Sequence, residues 1–220
     1  MVLTVYGHQI SPPVRSVLLT CKALGIEYKF QLVDLMSGEH KKPDLMKINP
    51  EGTVPFIQDG DFFLSESHAI LTYLGDKAGN DSWYPKDIKQ RATIQHRLHF
   101  DNMMLFGRHK DIVKPIFTEN AKEMPPAKVQ SLQDSLDLME GMIHEGGWLA
   151  GSKPTIADCC CATSVFHLVA VIPDLTLKPK AAAWLRRCEK ELPDFDEINT
   201  VYVKQIVDLL SKTLGKKYTS

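Results

Sequence analysis

The stretch Asn49–Leu71, NPEGTVPFIQDGDFFLSESHAIL, decides the fold. Val54, Phe56 and Ile57 sit in β-favouring company, Asp59-Gly60 supplies a two-residue turn, and Asp61 to Leu64 return as a second strand. An Asp-Gly pair between apolar runs is a strong hairpin signal, because its twist matches that of the flanking strands. Pro55 stands at the start of the first strand, where a residue without an N–H belongs at an edge or an entrance. Proline between a loop and a strand often carries a cis bond, which turns the chain sharply and can present a neighbouring backbone group to a ligand. Ser65-Glu66-Ser67 then opens a helix expected over residues 66–77. Its unpaired N–H groups and positive dipole end favour an anion. A cis-proline loop beside such a helix start suits a small acidic peptide.

Working outward, Val2 to Tyr6 reads as a first strand, and Ser11-Pro12-Pro13 leads a helix with apolar positions Val14, Val17, Leu18, Cys21 and Leu24, closed by Gly25. Residues 28–35, YKFQLVDL, read as a second strand, and Gly38 to Met46 as a loop with a short helical piece. The order βαβ, loop, ββα needs a parallel pair with a right-handed crossover, extended antiparallel by the hairpin. This is a thioredoxin-like α/β domain, expected over residues 1–80.

Beyond it, AGNDSWYPK (78–86) shifts to turn formers with Trp83 and Tyr84 as anchors, and strand signals stop. Asp87 caps a long helix that Pro115 should end or kink; further helices are expected over 127–144, from the box Thr155-Ile156-Ala157-Asp158 through Val171, over 179–192 and over 196–214. The second domain, residues 87–220, is therefore all-α.

Bulk properties restrict the function. The 220 residues carry 26 basic and 27 acidic side chains, a formal net charge of −1, so no global field draws in nucleic acid or anionic lipid. No run approaches the roughly 18 apolar residues of a membrane helix, and the start MVLTVYGHQI reads as a first strand rather than a signal peptide. Five cysteines, three of them adjacent (Cys159, Cys160, Cys161), suit neither a disulfide framework nor a zinc spacing, which points to a reducing, cytoplasmic compartment. Consecutive helix residues face different directions, so those three form a poor metal cluster and are expected in the core; no metal is expected.

Ser11 occupies the turn where a thioredoxin-like domain would carry a redox C-x-x-C. Ser11-Pro12-Pro13-Val14 excludes disulfide exchange there. The hydroxyl can donate to an anion; a plain N-cap serine is equally open from position alone.

Taken together, the turn SPPVR (11–15), the loop NPEGTVP (49–55), the Asp-Gly hairpin, the segment ESHAI (66–70) and the TIAD box (155–158) resemble the insect cytosolic glutathione transferases of the delta and epsilon classes, with the histidine of ESHAI leaning toward epsilon. The likeness covers the whole chain in order. It implies that Ser11 stabilises the glutathione thiolate, which attacks a hydrophobic electrophile. A free thiol has a pKa of about 8.5, and lowering it by two units takes about 2.7 kcal/mol of preferential anion stabilisation, which one charge-assisted hydrogen bond plus the helix start largely supply.

The same resemblance implies that the Val54 backbone pairs with the cysteinyl part of glutathione, Pro55 holds the bend, Glu66 faces the γ-glutamyl ammonium, Ser67 faces its carboxylate, and His40 meets the glycyl carboxylate. On residues alone, Glu66 is an ordinary first-turn acid and His40 a solvated side chain. Two positions depart from the pattern. Gly52 stands where histidine is usual before Thr-Val-Pro, so weaker binding or compensation by His40 or Lys41 is expected, and His68 stands where other classes carry arginine. The electrophile pocket is expected between the domains, walled by Ile10, by Phe106, Arg108, His109, Val113 and Phe117 of the long helix, and by Tyr202, Ile206 and Leu210 of the last helix. The implied activity is xenobiotic or insecticide detoxification in a homodimer, with dehydrochlorinase or peroxidase side activity. The alternative is a non-catalytic carrier of hydrophobic ligands or hormones.

Overall fold

The structure, a computed structural model, describes residues 2–79 and 81–215. The sheet is built first. Strand β1 (Leu3–Gly7) pairs parallel with β2 (Tyr28–Leu32), and helix α1 (Pro12–Leu24) makes the crossover. The other edge of β1 takes β3 (Phe56–Asp59) antiparallel, and β3 pairs with β4 (Phe62–Ser65), giving the order β2-β1-β3-β4. Asp59-Gly60 forms the expected tight hairpin, with Asp59 opposite Phe62. Helix α3 (Ser67–Lys77) packs beside α1 on the sheet, burying Val5, Val17, Ile57, Ile70 and Leu74. A four-stranded mixed sheet with these helices is the thioredoxin-like arrangement. Strand β2 is shorter than expected because Asp34 turns the chain: its carboxylate accepts from the Met36 and Ser37 N–H groups. A short 3₁₀ turn (Glu39–Lys41) and helix α2 (Pro43–Ile48) lead to the proline loop.

The rest of the described residues form helices and their connections: α4 (Ile88–Phe100), a π-helical segment (Asp101–Phe106), α5 (Gly107–Thr118), α6 (Pro126–Met139), α7 (Ile156–Val171), α8 (Pro179–Glu191) and α9 (Phe195–Leu214). Asp87 caps α4 as expected, accepting from the Lys89 and Gln90 N–H groups. Pro115 lies within α5, which continues to Thr118; the Asp111 carbonyl that a proline cannot bond accepts from Lys128 Nζ instead, at 3.0 Å.

The π segment joins α4 to α5 through a bond from the Gly107 N–H to the Asn102 carbonyl. A side chain at Gly107 would place its Cβ 2.7 Å from that carbonyl oxygen, so glycine is what lets the wide turn close. One extra residue in the ladder rotates everything after it relative to a regular helix. Met103, on the turn, is 70% exposed, while Leu105 is buried.

Helix α7 runs through the centre of the helical domain, and its three cysteines are buried, as expected. Asp158 locks its start. The carboxylate accepts from the Thr155 N–H (2.8 Å), the Thr155 hydroxyl (3.0 Å), the Leu149 N–H (3.0 Å) and Trp184 Nε1 (2.9 Å). Burial pushes this carboxyl up from its ordinary pKa, against the pull of those four donors. The interdomain linker docks on the same place: the Trp83 carbonyl accepts from the Ile156 N–H at 3.1 Å, and Tyr84 is buried.

Candidate active site

A cleft of about 530 Å³ opens between the sheet domain and the π turn. The loop wall is Glu51, Thr53, Val54 and Pro55, and the Val54–Pro55 bond is cis. Glu66, Ser67 and His68 form a second wall, Pro13 lies at the base of α1, and Asn102, Phe106, Gly107 and Lys110 close the helical side. Val54, Pro55, Glu66, Ser67, His68 and Phe106 are thus brought together, Ser11, His40 and Gly52 are not among the lining residues, and Glu51, Thr53, Pro13, Asn102, Gly107 and Lys110 were not anticipated. The visible trace of the last group was a glycine inside an otherwise helical run.

Ser11 is the N-cap of α1 with extended backbone (φ −79, ψ 121), and its side chain makes no capping bond. Pro12 and Pro13 fill the first helical positions, so two of the N–H groups a helix start normally offers are missing here. The Arg15 N–H is already committed to the Ser11 carbonyl at 3.2 Å. The Ser11 hydroxyl is therefore an uncommitted donor at this turn, and the two prolines reduce what the helix start adds to it.

The turn is held from beneath by Arg15, which is fully buried. Its guanidinium donates to the Gln9 carbonyl (2.9 Å), the Ile10 carbonyl (3.2 Å) and Asn199 Oδ1 on α9 (3.0 Å), and its Nη2 lies 3.2 Å from His167 Nδ1. Burial lowers the Arg15 pKa to about 9. Arginine can only donate, so His167 Nδ1 accepts and its Nε2 carries the proton. That proton points to His109 Nε2 at 3.2 Å, leaving His109 protonated on Nδ1, which is buried without a partner. Both rings are neutral: burial lowers His109 to about 4 and His167 well below its ordinary value, with the Arg15 charge adding to the effect.

At the other end of the cleft Glu66 is exposed and sits at φ 70, ψ 104, an unfavourable backbone for a side-chain-bearing residue. Such a conformation costs on the order of 1–3 kcal/mol and persists where the surroundings over-determine it. Ser67 is buried, and its hydroxyl lies 3.4 Å from His68 Nδ1, while His68 Nε2 lies 3.0 Å from Asp101 Oδ2.

Gly52 adopts φ 54, and a Cβ there would meet Met46 Sδ at 2.6 Å and Lys41 Nζ at 2.8 Å. The space beside Gly52 is thus filled by Met46 and by Lys41, whose ammonium donates to the Glu51 carbonyl at 3.1 Å. His40 is half-buried with Nδ1 unpartnered, and burial together with Lys41 lowers its pKa.

Several expected electrophile-wall residues are placed elsewhere. Arg108 turns to α6, donating to the Ser131 carbonyl and to Ser135 Oγ (2.9 Å). His109 is sealed into the Arg15 network, and Val113, Ile206 and Leu210 belong to the buried core. Beyond the π turn the extra residue rotates α5 relative to a regular helix, and there Arg108 faces α6 and His109 the Arg15 network. Ile10 and Tyr202 are half-buried, and Phe117 is exposed.

A thioredoxin-like domain with a hydroxyl-bearing N-cap, a cis-proline loop and a helical domain across the cleft defines the class of glutathione-dependent transferases. The glutathione S-transferase N-terminal domain family matches residues 1–76 and the C-terminal domain family residues 118–187. The chain belongs to the glutathione S-transferase family. It is 36% identical to glutathione S-transferase 1 of Manduca sexta over 194 residues, covering 86% of this chain and 89% of that one. A delta-class glutathione transferase of Nilaparvata lugens superposes with a TM-score of 0.90 at 33% identity, covering 96% of this chain and 99% of the other. An epsilon-class enzyme of the housefly Musca domestica gives 0.90 at 35%, covering 96% and 98%. The chain is thus similar to both insect classes, and its co-substrate is the family's, glutathione.

Proposed function

We propose that this protein transfers the thiolate of glutathione to hydrophobic electrophiles. The observation that carries the reading is the Ser11 hydroxyl, free of any capping bond at the start of α1 and held in place by Arg15 through the Gln9 and Ile10 carbonyls. Donation from Ser11 to the cysteinyl sulfur stabilises the thiolate over the thiol. The Val54 backbone, beside Pro55, pairs with the cysteinyl residue. Glu66 takes the γ-glutamyl ammonium, and the Ser67 hydroxyl and N–H its carboxylate. The glycyl carboxylate falls to His40 and Lys41, because Gly52 brings no side chain and Lys41 occupies that space.

The electrophile sits against Phe106 with Lys110 at the cleft edge, a pairing of apolar face and cation that suits chlorinated aromatics, whose leaving group is anionic. The setting is detoxification of xenobiotics or insecticides in the cytosol, by a homodimer. No described helix is long and apolar enough to cross a membrane.

The test is conjugation of glutathione to a chlorodinitroaromatic by the native protein and by Ser11→Ala. Turnover by the native protein, with most of the rate lost in a variant that still binds glutathione, supports the reading. Glutathione binding without turnover across a panel of electrophiles would make the protein a carrier, and absence of glutathione binding would overturn both.

A further inference from the structure

Behind His68, which lines the cleft, two buried side chains, Asp101 and Cys160, meet it. Asp101, the first residue of the π turn, is 2% exposed. Its Oδ2 lies 3.0 Å from His68 Nε2 and accepts from the Cys160 thiol at 3.3 Å, while its Oδ1 is buried with no partner at all. One nitrogen, one carboxylate and one sulfur thus converge from α3, the π turn and α7, their donor atoms all within 4.8 Å of one another. A tetrahedral zinc ion binds such atoms at about 2.0–2.3 Å, which sets them about 3.3–3.8 Å apart. Closing the set around an ion therefore takes side-chain shifts of no more than about 1.5 Å, the gap between those two spacings.

We infer that His68, Asp101 and Cys160 form a binding site for a zinc-class divalent cation, with the fourth coordination position reached through the cleft that His68 lines. The charges balance: a dication with one carboxylate, one thiolate and a neutral imidazole is net neutral, which a buried site requires. Without the ion, burial and the neighbouring Asp101 keep Cys160 a thiol. On binding, the S–H electron pair stays on sulfur and forms the metal–sulfur bond, and the proton leaves to solvent, so one proton is released per ion. The Ser67 hydroxyl, 3.4 Å from His68 Nδ1, can take the imidazole N–H once Nε2 turns its lone pair to the ion. The donor mix of nitrogen, oxygen and sulfur selects zinc and cobalt over magnesium or calcium. Spacing along α7 alone could not have revealed the site, because only one of its three adjacent cysteines takes part.

The test is a cobalt(II) titration of the reduced, untagged full-length protein after chelator treatment. The expected result is one cobalt per chain, with tetrahedral visible bands and a thiolate-to-cobalt charge-transfer band in the near ultraviolet. Affinity should rise about tenfold per pH unit around neutrality, as release of one proton dictates. Cys160→Ser should abolish the charge-transfer band, and Cys188→Ser should leave it unchanged. His68→Gln, on the half-buried cleft side, should weaken binding at least roughly tenfold, and it decides the matter if circular dichroism shows that Cys160→Ser has not folded. No charge-transfer band in the parent overturns the site, as does a band that survives in folded Cys160→Ser or binds equally well in His68→Gln.

Discussion

His109→Gln should make the protein less sensitive to acid, and the size of the effect follows from the burial of one imidazole. His109 is 6% exposed, faces the Arg15 guanidinium network from α1 and the neutral His167 ring from α7, and has its pKa lowered from 6.5 to about 4. A group whose folded pKa is depressed below its unfolded value takes up protons more readily in the unfolded chain. Stability is then fully present above pH 6.5 and is lost as pH falls toward 4. Integrating that single titration from pH 7 to pH 5 gives a loss of about 2 kcal/mol, because the unfolded imidazole is almost fully protonated at pH 5 and the folded one hardly at all. Glutamine can still accept from His167 Nε2 but does not titrate. Urea denaturation of parent and variant at one protein concentration, at pH 7 and pH 5, measures the difference. The parent should lose about 2 kcal/mol more than the variant over that interval. Equal losses would refute the neutral, buried assignment of His109 and with it the tautomer chain that starts at Arg15.

Three other outcomes follow from the geometry. Asp158→Ala removes the acceptor of four buried hydrogen bonds and should destabilise the fold by about 3–5 kcal/mol in urea denaturation; a loss below about 1 kcal/mol would mean that α7 does not depend on this lock. Gly52→Ala puts a Cβ at φ 54 against Lys41 and Met46, so it should cost about 1–2 kcal/mol of stability and raise the KM for glutathione by displacing Lys41; an unchanged KM would remove Lys41 from the glycyl end. Lys41→Met should weaken binding of glutathione more than that of its glycine amide, measured by calorimetry, and equal losses would assign the glycyl carboxylate to other groups.

What the sequence disclosed and what it concealed divide along the range of the interactions. The hairpin, the cis-proline loop and the start of α7 were legible because Asp59-Gly60, Pro55 and the Thr155–Asp158 pair act within a few residues of themselves. The sheet order followed from the βαβ and ββα succession. By contrast, the Arg15–Asn199 bond joins residues 184 positions apart, and nothing around Ser11 announces it. The π turn needs the Asn102 carbonyl to approach Gly107 closely, and that glycine was its one mark in the sequence. Arg108 and His109 were expected at the cleft by position alone, and the helical side is lined instead by Asn102, Phe106, Gly107 and Lys110. The missing side chain at Gly52 was visible, but the packing of Met46 and Lys41 against it depends on a left-handed glycine and a neighbouring loop.

Whether Ser11 holds glutathione as a thiolate is read by titrating the ultraviolet thiolate absorbance of bound glutathione against pH, in the native complex and in Ser11→Ala. The bound thiol should titrate about two pH units below the free value of about 8.5 and return most of the way to it in the variant. A native complex that titrates like free glutathione, or a variant that titrates like the native complex, would contradict it.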